Sequence, residues 1–190
     1  MRREDGGLLA DARQCLSPNH DQRPDACPVD LLVIHNISLP PNRFGGRWIE
    51  DLFLNRLDPE ADDYFPRICS MKVSAHLLIR RDGELVQYVP LDLRAWHAGN
   101  SCFRGRERCN DYSIGIELEG GDDIAYTDTQ YRILQKVTLE IMERYQAITP
   151  ERITGHSDIA PGRKTDPGPA FDWPRYLGSL HKTRSRNGQW

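Results

Sequence analysis

No run of apolar residues in this 190-residue chain approaches the ~18 needed to cross a bilayer as a helix. No Cys-x-x-Cys pair occurs among the five cysteines, Cys15, Cys27, Cys69, Cys102 and Cys109, and the odd count argues against both a closed disulfide framework and a zinc ribbon. A reducing cytoplasm suits such cysteines. Neither sign of charge is in excess: 25 Lys and Arg stand against 28 Asp and Glu, a net charge of −3. That balance excludes attraction to nucleic acid or to a membrane surface as the main business. Internal repeats and low-complexity tracts are missing, and no obligate protein partner is evident. Met1–Gly7 carries two arginines with no apolar stretch behind them and is not read as a secretory signal. One local exception to the even charge is Arg104-Gly105-Arg106-Glu107-Arg108, a basic knot that either faces an anionic ligand or is a solvated loop.

What is present fits one α/β domain that buries roughly 70% of its unfolded surface. Residues 1–30, punctuated by Pro18, Pro24 and Pro28, read as an irregular arm; residues 31–177 form the domain; residues 178–190 read as a loose tail. Leu31 to Ile34 is a buried strand. Trp48, Ile49, Leu52 and Phe53 recur at helical spacing. Residues 57–70 make a long connection of the sort that serves as a lid or binding loop, in which Tyr64 either reaches a substrate or packs. Strands follow over Val73 to Ile79 and Glu84 to Val89, joined at Arg81-Asp82-Gly83, a strong hairpin signal. His76 inside the first of them reads as a core histidine. Thr127-Asp128-Thr129-Gln130 is a capping box opening the main helix, which covers the sheet through Leu134, Val137, Ile141 and Met142.

The residues richest in chemistry lie in Gly155-His156 through Asp166-Pro167-Gly168, where Pro and Gly forbid a regular helix and a fixed loop places the side chains. A short strand, Glu151 to Gly155, sets His156 at its end. Two ligands here do not complete a catalytic metal site, which takes three protein ligands and an open position. The third candidate is His35, an imidazole that ends the apolar run Leu31 to Ile34. His35, His156 and Asp166 are the expected metal triad. Ser113 to Gly120 alternates, with Ile114, Ile116 and Leu118 on one face and Ser113, Gly115, Glu117 and Glu119 on the other. A carboxylate on the small-residue face suits a general base, but periodicity does not choose Glu117 over Glu119. Trp96 and His97, ahead of Ala98-Gly99, form either a sugar-binding wall or rim packing.

Taken together, Val33-Ile34-His35-Asn36, Val73-Ser74-Ala75-His76, Arg94-Ala95-Trp96-His97-Ala98-Gly99, Gly105-Arg106-Glu107-Arg108-Cys109-Asn110-Asp111, Ile114 to Gly120 and His156 through Pro169 resemble the zinc-dependent N-acetylmuramoyl-L-alanine amidases of the type 2 amidase and peptidoglycan-recognition superfamily. The resemblance spans Leu31 to about Trp173. It implies a central mixed β-sheet flanked by helices. It implies that His35, His156 and Asp166 hold Zn²⁺, that Glu117 serves the attacking water and that Lys164 sits at the reacting carbonyl. It carries substrate contacts to Asn36, Tyr64, Trp96, His97 and Arg108. Asp rather than Cys as third ligand is similar to the cytosolic branch, which acts on 1,6-anhydro-muropeptides recovered from cell-wall turnover and thereby influences β-lactamase induction. The rival readings are a secreted or phage-type amidase on intact peptidoglycan and a binding module without catalysis.

Overall fold

Alternation along two central strands decides the architecture. The computed structural model describes residues 6–186, with side chains through His181. In chain order the elements are β1 (Arg13–Gln14), β2 (His20–Asp21), β3 (Leu31–Ile37), α1 (Trp48–Phe53), β4 (Leu77–Ile79), β5 (Leu85–Gln87), β6 (Arg94–Ala95), β7 (Cys102–Phe103), β8 (Arg106–Glu107), β9 (Ser113–Glu119), α2 (Asp128–Arg144), β10 (Ile153–Gly155), α3 (His156–Ile159) and α4 (Trp173–Arg186). Six strands make one mixed sheet in the order β1-β5-β4-β9-β3-β10. Within it only the β4–β5 pair is antiparallel. The expected α/β class with a central mixed sheet and flanking helices is the observed one.

Every residue of β9 is buried, and its two faces differ. Leu32 and Ile34 of β3 and Ile114, Ile116 and Leu118 of β9 pack under α2 and α4 against Leu134, Val137, Ile141, Tyr176 and Leu180. Each such side chain contributes roughly 1.5–3 kcal/mol of burial. The capping box that opens α2 is formed: Gln130 N donates to Thr127 Oγ1 at 3.1 Å and Thr127 N donates to Gln130 Oε1 at 3.0 Å. On the opposite face, one apolar cluster gathers α1, Phe65 and Tyr88, and another holds Val33, Ala98, Tyr112 and Ile159. His35 of β3 and Ser113, Glu117 and Glu119 of β9 lie on this face. At the hairpin, Gly83 takes φ +95°, a conformation that strains any residue with a Cβ.

Several expectations are corrected. The arm, mostly without regular structure, is nonetheless tied to the domain. Its β1 pairs with β5 and its β2 with β6, Leu9 and Ala12 join the core, and the Arg23 guanidinium donates to the carbonyls of Asn110, Asp111, Leu91 and Ser113. Its prolines hid short pairings that only tertiary contacts reveal. The strand expected over Val73–Ile79 pairs only from Leu77, because the Gly115 N–H goes to the His76 ring, at Nδ1, and not to a strand carbonyl. The segment after β10 begins with one helical turn, α3, so His156 opens a helix instead of closing a strand. The tail from Gly178 is not loose through residue 186, since α4 runs to Arg186 and buries Leu180. Residues 1–5 and 187–190, the ends of arm and tail, lie outside the described residues.

Candidate functional site

Parallel pairing aligns His35 of β3 with Glu117 of β9, and Gly155 of β10 with Ile34. Three strands therefore end side by side, and the residues at or just past their C-terminal ends meet at one edge, where open α/β sheets bind ligands. His156 follows β10 directly. Asp166 is returned to it by the loop, whose carbonyl accepts from Ser157 N at 2.9 Å.

His35 Nδ1, His156 Nδ1 and Asp166 Oδ2 form a triangle with sides of 3.0, 2.9 and 3.0 Å. Bonds of about 2.0 Å to a common tetrahedral ion put ligand atoms about 3.3 Å apart, so this triangle is close to one face of such a site. Three lone-pair atoms this near one another need a cation or shared protons between them. His156 Nε2 lies 3.1 Å from the Ala98 carbonyl, which only accepts. Its proton therefore sits on Nε2, leaving Nδ1 free to ligate. The donor set fits a divalent metal, and this is the group of possible metal ligands found among the described residues.

Electrostatics agree with that use. Burial pushes the His35 imidazole down to about 4, against the opposing pull of Asp166. Burial works to raise the Asp166 carboxyl, yet hydrogen bonding to His156 and His35 outweighs it and holds the group well below the carboxylate range. Burial, reinforced by Asp166 and opposed by Lys164, holds the Glu117 carboxyl well above its usual value. Glu117 Oε2 is buried and takes no hydrogen bond. Glu119, the alternative that periodicity left open, is fully engaged: it accepts from Gly45 N at 2.6 Å and Arg81 N at 3.2 Å, and Arg80 lies 3.5 Å away. The free carboxylate is Glu117.

A cavity of about 560 Å³ opens over the triangle, a size suited to a small polar ligand. Asn36, Tyr64, Trp96, His97, Glu117 and Lys164 line it with the three candidate ligands. Asn36 is fixed by Asp122, whose Oδ1 accepts from its amide at 2.8 Å. Two expected contacts differ. Arg108 is not in the cavity wall; its side chain is 72% exposed and sits 3.2 Å from Asp111. His97 lines the cavity, but its two ring nitrogens are occupied by His35 Nε2 at 2.9 Å and Ser113 Oγ at 3.1 Å. Arg163 was missed: its guanidinium donates to the carbonyls of Ala98 and Asn100, both at 2.7 Å, fastening the loop of Trp96 to the loop of Lys164. Nothing in the local sequence pairs those loops.

The N-acetylmuramoyl-L-alanine amidase family profile matches residues 25–169, which include every residue of the triangle. The chain belongs to this family. The amidase is 60% identical over 172 residues to the 1,6-anhydro-N-acetylmuramyl-L-alanine amidase AmpD of Salmonella typhimurium, covering 90% of this chain and 91% of that one. A crystal structure of an Se-Met AmpD derivative superposes with a TM-score of 0.89 at 60% identity, covering 92% of this chain and 97% of that chain. A second solved relative is the amidase AmiD of Escherichia coli in complex with anhydro-N-acetylmuramic acid-L-Ala-D-gamma-Glu-L-Lys. It matches with a TM-score of 0.59 at 31% identity, over 83% of this chain and 60% of that one.

Proposed function

We propose that this amidase hydrolyses the amide joining 1,6-anhydro-N-acetylmuramic acid to the L-alanine of muropeptides, in the cytoplasmic recycling of the cell wall, with Zn²⁺ held by His35, His156 and Asp166. The observation that carries the reading is the 2.9–3.0 Å triangle beneath a cavity that also holds Glu117 and Lys164. When bound, the zinc ion supplies Lewis acidity toward water and the amide carbonyl. Glu117 takes a proton from the attacking water on its free Oε2 and later returns it to the departing nitrogen of L-alanine. Its buried position strengthens it as a proton carrier. The Lys164 ammonium stands where negative charge develops on the carbonyl oxygen. Asn36, Tyr64 and Trp96 form the walls against which sugar and peptide rest.

Substrate class rests on the similarity to AmpD and on a ligand set with Asp166 as its oxygen donor. Cytoplasmic residence is supported by the five cysteines, all of which are free thiols. Among the described residues no helix is long and apolar enough to cross a membrane. A non-catalytic binding module has no use for a buried carboxylate kept free of hydrogen bonds beside a lysine. The test combines metal analysis with two substrates. One zinc per chain and release of peptide from soluble anhydro-muropeptide are expected. Clearing of intact sacculi at a comparable rate, with no preference for the anhydro sugar, would replace this reading with the wall-degrading one.

A further inference from the structure

For His35 to ligate through Nδ1, its proton must sit on Nε2, and a buried N–H needs an acceptor. The atom that faces it is His97 Nδ1, at 2.9 Å. His97 must then carry its own proton on Nε2, and Ser113 Oγ lies 3.1 Å away to accept it. His156 is served by the next residue along the chain, whose backbone carbonyl, Ala98 O, accepts from Nε2 at 3.1 Å. One dipeptide therefore faces the outer nitrogens of both histidines. That dipeptide is itself pinned: the backbone N–H groups of His97 and Ala98 both donate to Asn110 Oδ1, at 3.2 and 2.7 Å. Gly115 supplies the room for the His97 ring, because a Cβ built there would stand 2.5 Å from His97 Nδ1.

We infer that His97 is a positioning residue and not a substrate contact: with Ala98, and through Ser113, it fixes the proton positions that turn His35 and His156 toward the metal. The inference rests on the proposed metal site and adds to it the device that orients its ligands. The cavity wall at His97 is the edge of a ring whose hydrogen-bonding atoms are both spent on the protein. Removing the ring leaves the His35 Nε2–H buried without an acceptor in every metal-bound molecule, so the cost falls on metal binding.

The experiment compares His97→Ala, His97→Gln and His35→Ala in the full chain by zinc competition against a chromophoric chelator, and by ¹⁵N NMR of the imidazoles in the zinc-loaded protein. His97→Ala is expected to weaken zinc binding by about 10- to 100-fold and to expose the His35 Nε2 proton to fast exchange. Its KM for anhydro-muropeptide at saturating zinc should stay within about twofold of the parent. His97→Gln can accept from His35 and donate to Ser113, and should recover most of the affinity; it also carries the test if the alanine variant does not fold. Unchanged zinc affinity in both His97 variants with a raised KM would overturn the inference and return His97 to the substrate wall. Unchanged affinity in His35→Ala would instead overturn the metal site itself.

Discussion

The two faces of β3 and β9 share a backbone and differ in everything else. Under α2 and α4, Leu32, Ile34, Ile114, Ile116 and Leu118 make an apolar layer. On the reverse, His35, Ser113, Gly115 and Glu117 line a wall of imidazole, hydroxyl and carboxylate, nearly as dry as the first. Burial on the first face stabilises the fold. On the second it lifts the Glu117 carboxyl and lowers the His35 imidazole, so that stability is given up where chemistry needs a shifted proton.

Neighbouring substitutions should therefore give opposite results. Glu117→Gln is expected to lower kcat by about 10²- to 10⁴-fold while making the metal-free protein more stable by about 1–2 kcal/mol at neutral pH. The sign follows from the raised folded value. Between 4.5, the ordinary glutamate value, and that higher value, the folded state binds more protons than the unfolded one. The contribution of Glu117 to the stability of the parent then falls as pH rises through the interval, and the difference between glutamine variant and parent should grow with it. Denaturant titrations at pH 4 and pH 7 measure it; an equal loss of stability in the variant at both pH values would erase the contrast between the faces. Lys164→Ala should cost on the order of 10²- to 10³-fold in kcat with zinc content unchanged. Full turnover in that variant would remove the lysine from the reaction.

On the apolar face, Ile116→Ala should cost about 2–5 kcal/mol, seen as a lower Tm, while the kcat of the molecules that remain folded is preserved. Gly115→Ala tests the boundary between the two faces. Its added methyl must displace the His97 ring, for about 1–3 kcal/mol of strain, and differential scanning calorimetry with and without zinc should show a larger loss in the zinc-loaded form. The smallest effect is expected for Arg108→Ala, which lies outside the cavity wall. A KM within about twofold of the parent is the expected outcome, and a tenfold rise for peptide-bearing substrates would place that side chain on the ligand.

Alternation made β9 and its two faces legible, and the terminal imidazole of an apolar run picked out His35. The capping box at Thr127 was equally plain, because all of its determinants lie within four residues. What stayed hidden depends on contacts between distant segments. Glu117 and Glu119 are distinguished only by what Gly45, Arg80 and Arg81 do to the second. His97 read as a ring on a binding wall because its partners, His35 and Ser113, lie 62 and 16 residues away. The short pairings of the arm leave no periodic trace, and the last part of α4, from Gly178, was taken for a tail because Leu180 is its one buried residue among those with described side chains.

Arg23 gives the arm a further consequence. Its guanidinium gathers three carbonyls from the turns that lead into β6 and β9 and a fourth from Ser113, the first residue of β9, so the segment acts as a clasp on the loop that carries Asn110. A shortened protein beginning at the first long strand would keep His35, Glu117, His156, Lys164 and Asp166 and yet release that clasp, leaving four carbonyls without the guanidinium. Trimming from the front is thus a change made behind the loop that pins His97 and Ala98.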